Sequence, residues 1–223
     1  DLLFGDNDSY TLNMAEISNN VITDTDREVS LTKEANLTEN PILINQVLET
    51  GGKKIGYIMY NAFTNEFDEQ LNTAFGEFKS AGVTELVLDL RYNPGGSVNS
   101  ARLLSSMIYG TYTNSVFLKA RYNDKLQSEF KDADLIEYFA DATDNNTPIN
   151  TLGLNKVYII ATGSSASASE LVMNGLDPYI NVIHIGTTTT GKNEFSVTFV
   201  DDLENGNVYD PDREDKINPD NHW

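Results

Sequence analysis

From residue 54 onward, short apolar runs alternate with stretches of helical periodicity, and few architectures can absorb that alternation. Residues 55–60 (IGYIMY), 85–90 (ELVLDL) and 156–161 (KVYIIA) are apolar runs of strand length, the last two of the kind buried inside a sheet. Residues 65–80 place Phe67, Leu71, Phe75 and Phe78 at spacings of four, four and three, which is one face of a helix, and Gly82 supplies the stop. Residues 98–109 and 166–176 read as further helices. Residues 115–121, 181–185 and 195–200 read as further strands, and 133–140 as a weak helix in polar surroundings. Such alternation predicts an α/β domain with parallel pairing. Functional residues in these domains gather just beyond the carboxyl ends of strands, which here are 91–96 and 162–170.

The first 50 residues are polar and rich in Asn, Asp and Thr, with small apolar patches such as Ile42-Leu43-Ile44. They predict a lead-in at 1–53, with one or two strands, ahead of a core domain at 54–223. The abrupt polar ends suggest a piece of a longer protein. Acidic residues number 34 against 15 basic, a net charge of −19 that repels phosphate backbones and anionic bilayers. A nucleic-acid partner is therefore not expected. No apolar run approaches the roughly 18 residues of a membrane span. Cysteine is absent, so disulfides, thiol catalysis and Cys-based zinc sites are excluded, and neither a metal nor a cofactor is expected.

Three segments could carry chemistry. Residues 162–170 (TGSSASASE) follow a strand and open a helix, where unpaired N–H groups and the helix dipole favour an anionic intermediate. Ser167 followed three residues later by Glu170 is equally a capping box, a purely structural device. Residues 89–96 (DLRYNPGG) place paired glycines after a strand, where backbone N–H groups can form an anion-holding concavity or merely a tight turn, with Asp89 and Arg91 free to pair. Residues 186–192 (GTTTTGK) imitate a phosphate loop, but Asn193 stands where Ser or Thr is required. A Ser-His-Asp triad is poorly supplied: His184 lies within a strand pattern and His222 beside the chain end. A serine base must then come from elsewhere, and a lysine serves if burial or nearby positive potential keeps it neutral. The Ser-x-x-Lys pairs Ser30/Lys33 and Ser128/Lys131 lie in polar stretches without companion motifs. The run Asp201, Asp202, Asp210, Asp212, Glu214 and Asp215 lacks the glycine and closing glutamate of a calcium loop and reads as a solvated acidic face.

Taken in order, LVLDLRYNPGG at 86–96, GSSASASE at 163–170 and GTTTTGK at 186–192 resemble the strand and glycine turn, nucleophile segment and lysine segment of the C-terminal-processing, or tail-specific, proteases of serine peptidase family S41. Lys192 lies 25 residues after Ser167, which agrees with that family. The resemblance runs from about Lys54 to Lys192. It implies a crotonase/ClpP-like spiral of ββα units, Ser167 as nucleophile and Lys192 as general base. The backbone N–H of Ala168, with that of Gly95 or Gly96, would then form an oxyanion hole. The implied substrate is an unfolded or C-terminal polypeptide segment. The lead-in resembles that of envelope-lipoprotein members, which implies an extracytoplasmic location.

Three features depart from the family pattern. Asn193 replaces a glycine common after the lysine. Ser196 replaces a glutamine that supports it; Ser196 and Glu170 are the candidates for that support here. Residues before Lys54 are too few for a substrate-binding PDZ module. Rival readings are a non-catalytic ligand-binding protein of the same superfamily, a crotonase-like acyl-CoA enzyme, which the −19 charge disfavours, and a structural envelope protein.

Overall fold

The computed structural model describes residues 5–35, 37–128, 130–196, 200–205 and 211–218. It forms two compact units, 1–39 and 40–223. In the first, β1 (Ser9–Ser18) and β2 (Val21–Thr32) form an antiparallel hairpin. Asn19 and Asn20 join them with φ of 51° and 62°. Two consecutive left-handed residues make a type I′ turn, whose twist matches the flanking strands, and asparagine tolerates that conformation better than most residues.

The second unit opens with β3 (Ile42–Thr50) and β4 (Lys53–Tyr60), continues with α1 (Asp68–Ala81), β5 (Glu85–Asp89) and α2 (Val98–Tyr109), and then β6 (Val116–Lys119), α3 (Asp124–Gln127) and β7 (Ile136–Tyr138). It finishes with β8 (Lys156–Ala161), α4 (Ala168–Leu176) and β9 (Asn181–Gly186). Five strands make a mixed sheet in the order β3-β4-β5-β8-β9; β3 runs antiparallel to β4, and the other neighbours are parallel. β6 and β7 form a separate antiparallel pair.

One core holds this unit together. Leu86, Leu88 and Leu90 in and after β5, and Val157, Ile159 and Ala161 of β8, are fully buried. They share a cluster with Leu71, Phe75 and Phe78 of α1, Leu103, Leu104 and Met107 of α2, and Val172 and Leu176 of α4. β8 alternates strictly between buried and half-buried residues, so the sheet's faces are covered unequally. α1 ends in a Schellman motif: Gly82 sits at φ 74°, its N–H donates to Lys79 O, and Val83 N–H donates to Phe78 O.

The structure departs from the sequence expectations in five places. The described residues of 1–53 hold three complete strands, β1, β2 and β3, because the β-branched alternation of 9–32 outweighs its Asn and Asp content. α1 starts at Asp68 after a 3-10 turn at Asn65–Phe67, leaving Phe67 outside the buried face. Residues 133–140 form a 3-10 turn and β7 rather than a helix, since pairing with β6 lets Leu135 and Phe139 both reach the interior. Asp202 is buried and accepts from Arg213 Nε at 2.7 Å, so the C-terminal acidic run is not wholly solvated; Asp210 lies outside the described residues. Phe195, Ser196 and Val200 have no regular structure, and 197–199 lie outside the described residues.

Asp68 is the costly buried group of this core. It is 5% exposed; Oδ2 accepts from Ser100 Oγ of α2 at 3.0 Å, and Oδ1 has no partner among the described residues. Burial pushes its carboxyl up to about 7; Ser100 opposes the shift, and Asp144 and Glu69 add to it. The folded state therefore holds more protons than the unfolded chain between about pH 4 and 7, and stability falls as pH rises through that window. Asp68→Asn is expected to melt higher than wild type at pH 8, with the gain closing below about pH 4. Melting temperature against pH checks this.

Candidate active site

Three parallel neighbours, β5, β8 and β9, end on one edge of the sheet, with Asp89 opposite Ile160 and Ala161 opposite Gly186. The three segments singled out in the sequence follow those ends directly and therefore meet. Asn93 links the first two. Its side chain is fully buried; Nδ2 donates to Tyr60 O at 2.9 Å, and Oδ1 accepts from Gly95 N–H at 2.9 Å. Its carbonyl accepts from Ala166 N–H and from Ser169 Oγ.

The hydroxyls of 162–170 divide by role. Thr162 Oγ1 donates to Arg91 O, Ser165 Oγ to Leu90 O and Ser169 Oγ to Asn93 O, at 2.6, 2.7 and 2.9 Å. These three fasten the segment 162–170 to the end of β5. Ser165 and Ser169 are fully buried, whereas Ser167 is half-buried at the N-cap of α4.

Ser167 does not have an ordinary N-cap conformation. An N-cap residue normally occupies the extended region, but Ser167 sits at φ 54°, ψ −112°. This region suits glycine, and a side-chain-bearing residue there stores of order 1–3 kcal/mol of strain. A sharp strand-to-helix turn that lifts one hydroxyl clear of its neighbours is the geometry of a nucleophile elbow. The capping box is also formed: Ser167 N–H donates to Glu170 Oε2 at 2.9 Å.

The glycine turn touches this elbow. A Cβ on Gly95 would lie 2.8 Å from both Ala166 O and Ser167 Cβ, and one on Gly96 would lie 2.2 Å from Phe63 O, so neither position admits a side chain. Gly95 N–H is engaged by Asn93, whereas Gly96 is exposed and pairs with Phe63 only through its neighbours, Phe63 N–H to Gly95 O and Ser97 N–H to Phe63 O. Asp89 is fully buried and anchors the start of the turn, accepting from Arg91 Nε at 3.0 Å and from Tyr57 OH at 2.7 Å. Burial raises its carboxyl, but these bonds outweigh burial and hold it below the usual carboxylate value. Asp89 and Arg91 thus pair, as their spacing allowed.

The lysine segment is tied to the same place through its backbone. Gly191 N–H donates to Glu170 Oε1 at 2.5 Å and Lys192 N–H to Glu170 Oε2 at 2.9 Å. Thr190 N–H donates to Ser165 O and Thr190 Oγ1 to Gly163 O. Lys192 itself is exposed. Ser196 is exposed as well, and among the described residues no hydrogen bond joins it to Lys192. His184 lies on the edge strand β9, its Nε2 3.4 Å from Ala161 O. Sequence reasoning missed Asn93 and Thr190. The Asn-Pro-Gly-Gly order was a usable signal for Asn93, because an asparagine two residues before a glycine readily accepts that glycine's N–H. Nothing in a row of four threonines singles out Thr190.

A family model described as peptidase family S41 matches residues 54–223. The chain belongs to that family. It is 25% identical over 205 residues to a CtpA-like serine protease of Staphylococcus aureus, covering 92% of this chain and 38% of that protein. It is 25% identical over 177 residues to a carboxyl-terminal-processing protease of a Picosynechococcus species, covering 76% and 36%. The chain thus spans less than two-fifths of the length of these relatives. Among solved structures, an S41 protease from Bacteroides fragilis aligns with a TM-score of 0.71 at 28% identity, over 87% of this chain and 51% of that one. The photosystem II D1 C-terminal processing protease aligns at 0.53 and 22%, over 78% and 43%, a likeness of fold. The S41 match begins at Lys54, inside the β3–β4 hairpin, whereas the compact unit begins at Asn40.

The strain at Ser167 gives a stability test. Replacing an ordinary N-cap serine by glycine costs a few tenths of a kcal/mol. Ser167→Gly is instead expected to stabilise the chain by about 1 kcal/mol, because glycine occupies that region without penalty. Urea denaturation of the two proteins measures the difference.

Proposed function

We propose that this chain carries the catalytic centre of a serine endopeptidase in which Ser167 is the nucleophile and Lys192 the general base. The observation that carries the reading is the strained backbone of Ser167, which a structural cap has no use for and an exposed nucleophile does. Ser167 Oγ attacks the scissile carbonyl carbon as its proton passes to the Lys192 Nζ lone pair. The carbonyl oxygen becomes an oxyanion within reach of the Ala168 N–H, the first of α4. Gly96 is the better second donor, since Gly95 N–H already serves Asn93. Collapse of the intermediate breaks the C–N bond, Lys192 returns the proton to the departing amine, and an acyl-enzyme is left on Ser167. Water attacks the ester, and the serine is regenerated. Each oxyanion donor is worth roughly 3 kcal/mol in the transition state. The positive end of α4 favours the oxyanion.

The substrate we infer is an unfolded or C-terminal polypeptide segment, on the strength of family membership and of the carboxyl-terminal-processing relatives. We place the protein outside the cytoplasm, in the periplasm or cell envelope, from the same resemblance. The crotonase/ClpP-like spiral is our reading of the fold, supported by the β3-β4-α1 unit followed by strand–helix repeats. The non-catalytic ligand-binding alternative leaves the strain at Ser167 without a purpose.

The test is cleavage of casein by the full natural chain, beside Ser167→Ala and Lys192→Ala. Both variants are expected to lose at least about 10³-fold in kcat/KM with unchanged melting temperature. Undiminished cleavage by either folded variant contradicts the dyad.

A further inference from the structure

Tyr122, Phe130 and Phe195 form an aromatic cluster outside the buried core. They come from three separate stretches of chain, after β6, after α3 and after the lysine segment. The Tyr122 ring stacks on Phe130 at 4.5 Å and 13°, and meets Phe195 edge-on at 5.3 Å and 85°. Tyr122 is half-buried and its N–H donates to Gln127 Oε1 at 2.9 Å, whereas Phe130 and Phe195 stay 40% and 46% exposed. A cluster that only fastened loops would turn its rings inward, since apolar surface left in water forfeits about 25 cal/mol per Å². Phe195 lies three residues after Lys192, so its Cα is within about 11 Å of the lysine Cα. Ser167 N–H and Lys192 N–H share Glu170 Oε2, each at 2.9 Å, which puts the lysine backbone beside the elbow. The rings therefore stand within about five extended substrate residues of Ser167.

Charge sets this patch apart from the rest of the chain. Arg121, Lys125 and Lys131 flank the rings in sequence, three of only 15 basic residues in a chain of net charge −19. None of the three forms an ion pair among the described residues, whereas nearby Lys119 is paired with Asp132 at 3.6 Å. We propose that Tyr122, Phe130 and Phe195 form a specificity subsite for a large apolar side chain of the polypeptide substrate, with Arg121, Lys125 and Lys131 favouring an acidic residue beside it. The inference rests on the Ser/Lys reading above. A bound aromatic or aliphatic side chain covers the exposed parts of Phe130 and Phe195 and takes its own apolar area out of water. An acidic neighbour meets unpaired cations here, on a protein whose net charge otherwise repels it.

The experiment measures fluorescence anisotropy of short fluorescein-labelled peptides of alanine, serine and glycine that carry one Phe-Glu, Ala-Glu or Phe-Lys pair. The protein is the full natural chain bearing Ser167→Ala, which prevents turnover, alone or with Phe195→Ser or Phe130→Ser. Both phenylalanines are exposed, so each variant is expected to melt with its parent. The Phe-Glu peptide is expected to bind about tenfold tighter than Ala-Glu. It is expected to bind about threefold tighter than Phe-Lys, a gap that closes at high salt. Each folded phenylalanine variant is expected to lose most of the preference for Phe over Ala. Phe-Glu binding no tighter than either other peptide, or a full Phe preference in the folded variants, overturns the inference. Casein cleavage by the chains with and without Ser167→Ala, run alongside, separates the two readings: cleavage that survives the substitution overturns the dyad and leaves the binding comparison standing.

Discussion

The site depends on the parallel pairing of β5, β8 and β9. In a parallel sheet, neighbouring strands end on the same edge, so the segments that follow them are delivered side by side whatever their separation in sequence. The glycine turn, the segment 162–170 and the lysine segment span 102 residues of chain, from 91 to 192, and become neighbours because Asp89 pairs with Ile160 and Ala161 with Gly186. An antiparallel arrangement of the same strands would send alternate segments to opposite edges.

Juxtaposition alone would leave three polar loops full of unpaired backbone groups. Buried polar side chains resolve this, each satisfying one segment with another. Asn93 joins the end of β4, the glycine turn and the nucleophile segment; Ser165 and Ser169 bind the carbonyls of Leu90 and Asn93; Glu170 collects N–H groups from the nucleophile and lysine segments. This network over-determines the backbone around Ser167, which is the condition for holding a residue at φ 54°, ψ −112°. The strain at one residue is offset by hydrogen bonds at its neighbours.

Much of this was legible in the sequence, and the limits have physical causes. The apolar periodicity of 55–109 and 156–185 located β4, α1, β5, α2, β8, α4 and β9, because burial on one face imposes a period that polar loops lack. The three segments could be named because each follows such a strand. Elements set by tertiary pairing were not legible: 133–140 has helical composition, yet its residues 136–138 join β6 as a strand, and the hairpin of 9–32 hides among asparagines and aspartates. Within the site, Ser167 and Glu170 stood out through their capping spacing. Asn93's role depends on groups 33 residues before it and 76 after it, the Tyr60 carbonyl and the Ser169 hydroxyl, and no local pattern encodes such partners.

The central claim is that, among the clustered hydroxyls of 162–170, Ser167 alone is an activated nucleophile. The most direct measurement is to treat the native protein with a fluorophosphonate, which forms a covalent P–O bond with an activated serine, and to map the adduct by peptide mass spectrometry. The account predicts one adduct per chain, on Ser167, formed slowly or not at all after heat denaturation. An adduct on Ser164, Ser165 or Ser169 instead, or a native protein that takes up no label, would contradict it.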